Sequence, residues 1–312
     1  MWASCEGSEQ VMRGWAKALA IWVVAGLGWS THAPAEPLPW ALLPLPGVVE
    51  LENGVPVRGM QLDALHLLED RLPDLQSSYR AANYRRLQQD MAQGLDFCAA
   101  PFFRRADTDR IGHFVPFTVS TPIQLVIRRD ELQRFPLHGE RVSLRELLQD
   151  PHLLGGLSTS RTYPEEILEL LHGGLESGRL EWVGGASGGE NLPLMVSVGR
   201  LDYSFEFGTI INRMTGDSRL QQPLIAVPLQ ESLALVESGI YCTRSEWGLR
   251  MAGRLDQAIR ELSRRPQPML ELYRRYMPET TYNVYAEKIA AYYRMRADVP
   301  PLLPMKRPSA SE

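Results

Sequence analysis

A chain of 312 residues, 22% of them charged and with a formal net charge of −4, is too long for one small domain and suits two lobes or one large one. The slight acidity gives no reason to expect nucleic acid or an anionic membrane surface as a partner, and the arginines are spread through both halves rather than gathered in one run. With 44% apolar residues the composition is that of an ordinary globular protein, expected to be a monomer.

The N-terminus reads as an export signal. Met12-Arg13-Gly14-Trp15-Ala16-Lys17 is short and basic, Ala18 to Gly28 is an uncharged, mostly apolar run, and Ala33-Pro34-Ala35 has the small residues of a cleavage site, with Glu36 following the cut. That order describes a secretory signal peptide, with Met12 as an alternative start, and implies a periplasmic protein. The apolar run is shorter than the roughly 20 residues that span a bilayer; an uncleaved N-terminal anchor is the rival reading. Cys5 would leave with the signal. Cys98 and Cys242 remain, either as a disulfide, which an oxidising compartment permits, or as two buried thiols. Two cysteines without a matching histidine pair give no metal site, and no motif calls for a cofactor.

In chain order, residues 36–48 are rich in Pro, Leu and Trp and read as an extended lead-in. Leu62, Leu65, Leu68 and Leu72 have helical spacing over 60–72, and Tyr84 to Ala92 reads as a second helix stopped by Gly94. Leu95 to Ala100 is a short apolar strand, 101–116 an arginine-rich loop, and Ile123 to Ile127 a strand. Ser143-Leu144-Arg145-Glu146 and Thr162-Tyr163-Pro164-Glu165 are capping boxes, each opening a helix. Strands are expected at 153–157, 180–183, 201–207, 224–227 and 240–243, a helix at 192–198, and closing helices at 245–264, 269–276 and 281–294, before a Pro- and Ser-rich tail expected to be disordered. Alternating strands and helices argue an α/β protein with largely parallel sheets.

Several segments in order resemble the type II periplasmic solute-binding fold, and within it the family-3, polar amino acid type proteins: Gly94-Leu95-Asp96-Phe97, Asp107-Thr108-Asp109-Arg110, Phe117-Thr118, Val142 to Leu148, Gly155 to Ser160, and Gly199-Arg200-Leu201-Asp202-Tyr203. The resemblance implies two lobes, each a mixed, mostly parallel sheet flanked by helices. Lobe one would comprise 36–122 and 225–300, and lobe two 123–224, with crossings near Ser120-Thr121-Pro122 and Pro223-Leu224-Ile225. It would place Cys98 and Cys242 in one lobe, which favours the disulfide.

The resemblance also implies a ligand site between the lobes. Arg110 would hold a ligand carboxylate in a two-pronged hydrogen bond, unless it is a surface residue paired with Asp107 or Asp109. Thr159, Ser160 and Arg161 precede a helix whose free N–H groups favour an anion. Glu206, four residues past Asp202, would meet an ammonium. Trp40, Phe102 and Phe103 are candidates for an aromatic platform, with core packing as the rival role. The chain departs from the family in having Phe102-Phe103-Arg104-Arg105 where small or hydroxyl residues are usual, which points to a more anionic or larger ligand. No nucleophile elbow, His-Glu-x-x-His or P-loop is present, so a binding protein is expected rather than an enzyme. It would serve either a membrane permease of the ABC type or a sensor protein.

Overall fold

A computed structural model describes residues 35–159, 161, 163–184 and 191–301. The expected signal segment before Ala35, Ser160, Thr162 and the expected disordered tail beyond Pro301 lie outside the described residues.

The chain opens with β1 (Glu36–Leu42), a hairpin of β2 (Glu50–Glu52) and β3 (Val55–Arg58), then α1 (Met60–Glu69), β4 (Leu75–Ala81), α2 (Tyr84–Ala92), β5 (Cys98–Phe103) and, after a 3-10 turn at Thr108–Arg110, β6 (Gly112–Ser120). It then builds β7 (Gln124–Arg128), the short pair β8 (Leu137–His138) and β9 (Arg141–Val142), α3 (Leu144–Leu147), β10 (Gly155–Ser158), α4 (Glu165–Glu176), β11 (Leu180–Val183), α5 (Asn191–Ser197), β12 (Tyr203–Glu206), α6 (Gly208–Met214) and β13 (Leu224–Val227). It closes with β14 (Val236–Thr243), α7 (Glu246–Arg264), α8 (Gln267–Tyr276) and α9 (Glu279–Asp298).

These strands form two five-stranded sheets, ordered β4-β1-β5-β14-β6 and β11-β10-β12-β7-β13. In each, four strands run one way and one runs against them: β14 is antiparallel to both β5 and β6, and β7 to both β12 and β13. The reversed strand is in each case the one reached directly from the other sheet. The architecture is therefore two α/β lobes joined by two crossings. The second crossing lies later than the sequence suggests. β13 pairs with β7 along Leu224–Val227, so lobe two continues through Val227 and the return falls at 228–235 rather than near Pro223-Leu224-Ile225.

Each lobe has its own apolar core. Lobe one buries Trp40, Leu65, Phe117, Leu255 and Tyr273; lobe two buries Leu125, Leu157, Tyr203 and Phe205. The amphipathic α7 turns Met251, Leu255, Ala258, Ile259 and Leu262 inward, the i, i+4, i+7 spacing of a helix lying on a sheet. Asn83 and Ser245 cap α2 and α7 by accepting the N–H groups of Arg86 and Gly248. At α3 the expected capping box is only half made. Ser143 accepts the Glu146 N–H, but Glu146 pairs with His138. The Ser143 N–H goes to the Pro136 carbonyl, and Glu231, from the return crossing, accepts the N–H groups of Leu144 and Arg145.

Three strands differ from the sequence reading. The lead-in at 36–42 is an inner strand of the first sheet, β4 is its edge, and both ends of the expected loop at 101–116 are strand, with β5 running on to Phe103 and β6 starting at Gly112. Pro116 obscures β6. It sits on the outermost strand at a register shift opposite Gly239, where a missing N–H costs no ladder bond. Gly239 is obligatory there, because a Cβ would lie 2.2 Å from the Val115 carbonyl oxygen.

Cys98 and Cys242 face each other across β5 and β14 and are joined by a disulfide that closes a separation of 144 residues. A loop that long restricts the unfolded chain strongly, so Cys98→Ser with Cys242→Ser is expected to cost about 2–5 kcal/mol. Urea unfolding with and without reductant checks this: the reductant should lower the midpoint of the parent protein and leave the double variant unmoved.

Candidate functional site

A cleft runs between the lobes as two adjoining cavities. The inner has a volume of about 120 Å³ and the outer about 510 Å³. Leu45, Pro101, Phe103, Phe207 and Ser238 line both, which makes them parts of one space.

The carboxyl ends of co-directional strands supply its walls, the usual ligand position in open α/β sheets. Leu45 follows β1, Phe103 ends β5, and Phe207 follows β12. The start of α1 adds Met60 and Gln61, and the first crossing adds Ser120 and Thr121. Phe103 is 44% exposed, a large apolar ring held at the cleft by the strand that buries Phe102 beside Tyr84 and Tyr241. This separation of the two neighbours follows from strand alternation, and it gives Phe102 to the core and Phe103 to the cleft.

The polar centre of lobe two is an ion pair. Arg161 Nε lies 2.9 and 3.1 Å from the two carboxylate oxygens of Glu206, and Nη2 lies 2.7 Å from Oε2. Their side chains are 7% and 1% exposed. Glu206 also accepts the Phe207 N–H at 2.8 Å. Arg161 lines the inner cavity, so the cation it brings to the cleft arrives with its counter-charge. Any ammonium offered to Glu206 would compete with Arg161.

The other expected site residues are placed differently. Thr159 is exposed at the end of β10, its N–H bonded to the Val183 carbonyl. Trp40 is fully buried in the lobe-one core, with its indole N–H donating to Ser77 Oγ at 3.2 Å, because β1 is an inner strand and position 40 faces the helices. Arg110 is exposed on the turn between β5 and β6 and is not among the residues lining the inner or outer cavity. The aspartates beside it pair elsewhere, Asp107 with Arg105 and Asp109 with Arg104 and Tyr241. Arg104 and Arg105 reach the rim of the outer cavity with those partners attached. Among the described residues no group of three or more His, Cys, Asp or Glu is arranged to hold a metal.

Sequence reading missed Gln61. It is 3% exposed, its Nε2 is buried without a hydrogen-bond partner, and it lines the inner cavity. The signal was present in the spacing, since Leu65 and Leu68 stand four and seven residues beyond Gln61 and put it on the apolar face of α1.

Contacts also tie the lobes across the cleft. Arg213 of α6 reaches Glu50 of β2 at 2.5 Å, and Glu50 also accepts from Arg58 at 2.7 Å. Gly47 adopts φ 73° against α6, where a Cβ would lie 2.8 Å from the Thr209 carbonyl oxygen. Glycine alone meets both demands there. Burial raises the Glu50 carboxyl, but hydrogen bonds and charge from Arg58 and Arg213 outweigh it and hold its pKa below the ordinary carboxylate value. A depressed pKa means the tie is fully present above the unfolded value near 4.3 and fades as pH falls through the lower folded value. Arg213→Ala is therefore expected to shift the open–closed balance by about 0.5–1 kcal/mol toward open at neutral pH and to have a smaller effect at pH 3. Small-angle scattering of parent and variant at the two pH values measures it.

The fold is that of the two-lobed, type II periplasmic solute-binding proteins, in a divergent form. It is similar to a probable amino-acid ABC transporter extracellular-binding protein, YtmK, from Bacillus subtilis (TM-score 0.59, 14% identity, 78% of this chain and 99% of that one). It is likewise similar to an ancestral cationic amino acid solute-binding protein (TM-score 0.60, 10% identity, 78% and 96%). A third is the periplasmic VFT2 domain of BvgS from Bordetella pertussis (TM-score 0.52, 16% identity, 78% and 95%). No protein-family model matches the chain, and no curated protein matches it in sequence. No described helix is long and apolar enough to cross a membrane.

Proposed function

We propose that this chain is an exported solute-binding protein whose lobes close on a small molecule and present it to a membrane permease. The observation that carries the reading is the cleft itself: one space walled by strand ends from both lobes, in a molecule whose lobes are connected by two crossings and touch through Gly47 and the Glu50–Arg213 pair. Hinge closure around such a space buries a ligand and couples binding to a shape change that a partner can read. The similarity to amino-acid ABC transporter binding proteins supports delivery to a transporter. The similarity to the BvgS domain supports a second use of the same closure, as a sensor module. The N-terminal sequence supports export, and N-terminal sequencing of the protein recovered from the periplasm is expected to begin at Glu36. Scattering in the presence of a broad small-solute library tests the binding reading. A solute that reduces the radius of gyration and raises the melting temperature supports it; a library in which no solute does either counts against it.

A further inference from the structure

Lobe one offers the cleft a row of three side chains. Phe103 of β5 stands opposite Ser238 of β14, and Ser238 stands opposite Thr118 of β6. Cross-strand partners share one face of a sheet, and all three residues line the inner cavity. Neighbouring strands lie about 4.8 Å apart, so the row spans about 10 Å of the sheet. Thr118 and Ser238 are each 5% exposed. Neither hydroxyl has a hydrogen-bond partner among the described residues, and neither is sealed from solvent as the Gln61 Nε2 is. Two hydroxyls that can each donate and accept are therefore open to whatever occupies the inner cavity.

The charged groups lie further out. Arg104 and Arg105, the next two residues after Phe103, line the outer cavity from lobe one, and Glu166, at the start of α4, lines it from lobe two. Each arginine meets its aspartate through Nε alone, Arg104 at 3.1 Å from Asp109 and Arg105 at 3.2 Å from Asp107. Both arginine side chains are more than half exposed, where such pairs hold weakly, and their Nη groups have no hydrogen-bond partner among the described residues. Neither aspartate is among the residues lining the two cavities. The outer cavity thus faces two cations and one carboxylate, while Arg161, in the inner one, is engaged with Glu206.

We propose that the cleft takes an elongated aromatic carboxylate that carries no ammonium group. Its uncharged polar end meets Thr118 and Ser238, its ring lies against Phe103 and Phe207, and its carboxylate is received by Arg104 and Arg105. This rests on the solute-binding reading and names the ligand class for that same cleft. Guanidinium forks hold carboxylates by paired hydrogen bonds. The outer cavity is lined by Tyr84, Phe102, Phe103, Tyr163 and Phe207, an aromatic wall that suits a ring. An ammonium on the ligand would have Glu166 to meet, exposed on the far wall, since Glu206 is committed to Arg161. Small-ligand sites of this kind combine an apolar lining with few convergent polar groups.

The test is calorimetric titration of the full chain with four probes on one frame. Para-hydroxyphenylpropionate has all three features, phenylpropionate lacks the hydroxyl, tyrosine adds an ammonium, and tyramine has the ammonium without the carboxylate. Hydroxyphenylpropionate is expected to bind tightest, with each of the others weaker by about tenfold or more. Thr118→Val should weaken hydroxyphenylpropionate by about tenfold and leave phenylpropionate unchanged, a split that a merely structural role would not produce. Arg104→Gln with Arg105→Gln should weaken both carboxylates by about tenfold and remove their advantage over tyramine. Tighter binding of tyrosine or tyramine than of hydroxyphenylpropionate overturns the ligand class and leaves the solute-binding reading standing. In Thr118→Val, an equal loss for both carboxylates, or no loss, overturns the hydroxyl contact. Parent-like affinity in the double arginine variant overturns the carboxylate contact. If none of the four probes binds, the ligand class falls, and the small-solute library decides separately whether the solute-binding reading falls with it.

Discussion

Glu206→Gln is expected to destabilise the protein by about 3–5 kcal/mol, because it leaves the Arg161 guanidinium desolvated without its carboxylate. The pair is nearly sealed, at 7% and 1% side-chain exposure, and Arg161 Nε and Nη2 lie 2.7–3.1 Å from the Glu206 carboxylate oxygens. Arg161→Met should cost a comparable amount by stranding the carboxylate. The combination Arg161→Met with Glu206→Leu should cost much less than the two single changes added together, since the charges are then removed as a set. Urea unfolding of the four proteins measures the coupling. Single changes that each cost under about 1 kcal/mol would mean the pair behaves as a surface salt bridge.

The second large effect is expected in lobe one. Arg296, in the last turns of α9, reaches Asp256 of α7 and donates from Nε to the Pro116 carbonyl of β6 at 3.0 Å. Asp256 also lies 3.4 Å from Arg260 Nε. Arg296 and Asp256 are 3% and 1% exposed, so this one guanidinium fastens the last helix to α7 and to the outermost strand. Asp256→Ala removes the carboxylate that both arginines face and is expected to cost about 3–5 kcal/mol. Hydrogen exchange should show the loss concentrated in α9 and β6, with the amides of lobe two protected as before. Uniform loss across both lobes would mean that the lobes unfold as one unit.

Helices with a strong apolar stripe were legible at once. α7 declares itself through Met251, Leu255, Ile259 and Leu262 and through Ser245 as its cap, because period and cap are local properties that need no partner. β11 and β13 were legible for the same reason. β4 was not: Leu75–Ala81 alternates only between half-buried and exposed, since an edge strand with few apolar residues gains its identity from β1, which it meets across a gap of some forty residues. β6 was hidden by Pro116 until its place on the sheet edge made that proline harmless.

The site divides the same way. The sequence by itself determined two alternating α/β lobes, a candidate export signal, and the nomination of Arg161 and Glu206, because hydrophobic period, signal composition and motif order are all carried by near neighbours in the chain. Only the tertiary structure decided what those residues meet. It spent Arg161 on Glu206, forty-five positions away, sent Arg110 to the surface and Trp40 to the core, and brought the unremarked Gln61 to the wall that Phe103 and Phe207 share. Charge compensation and burial are properties of pairs brought together by folding, and no single position in a sequence reports them.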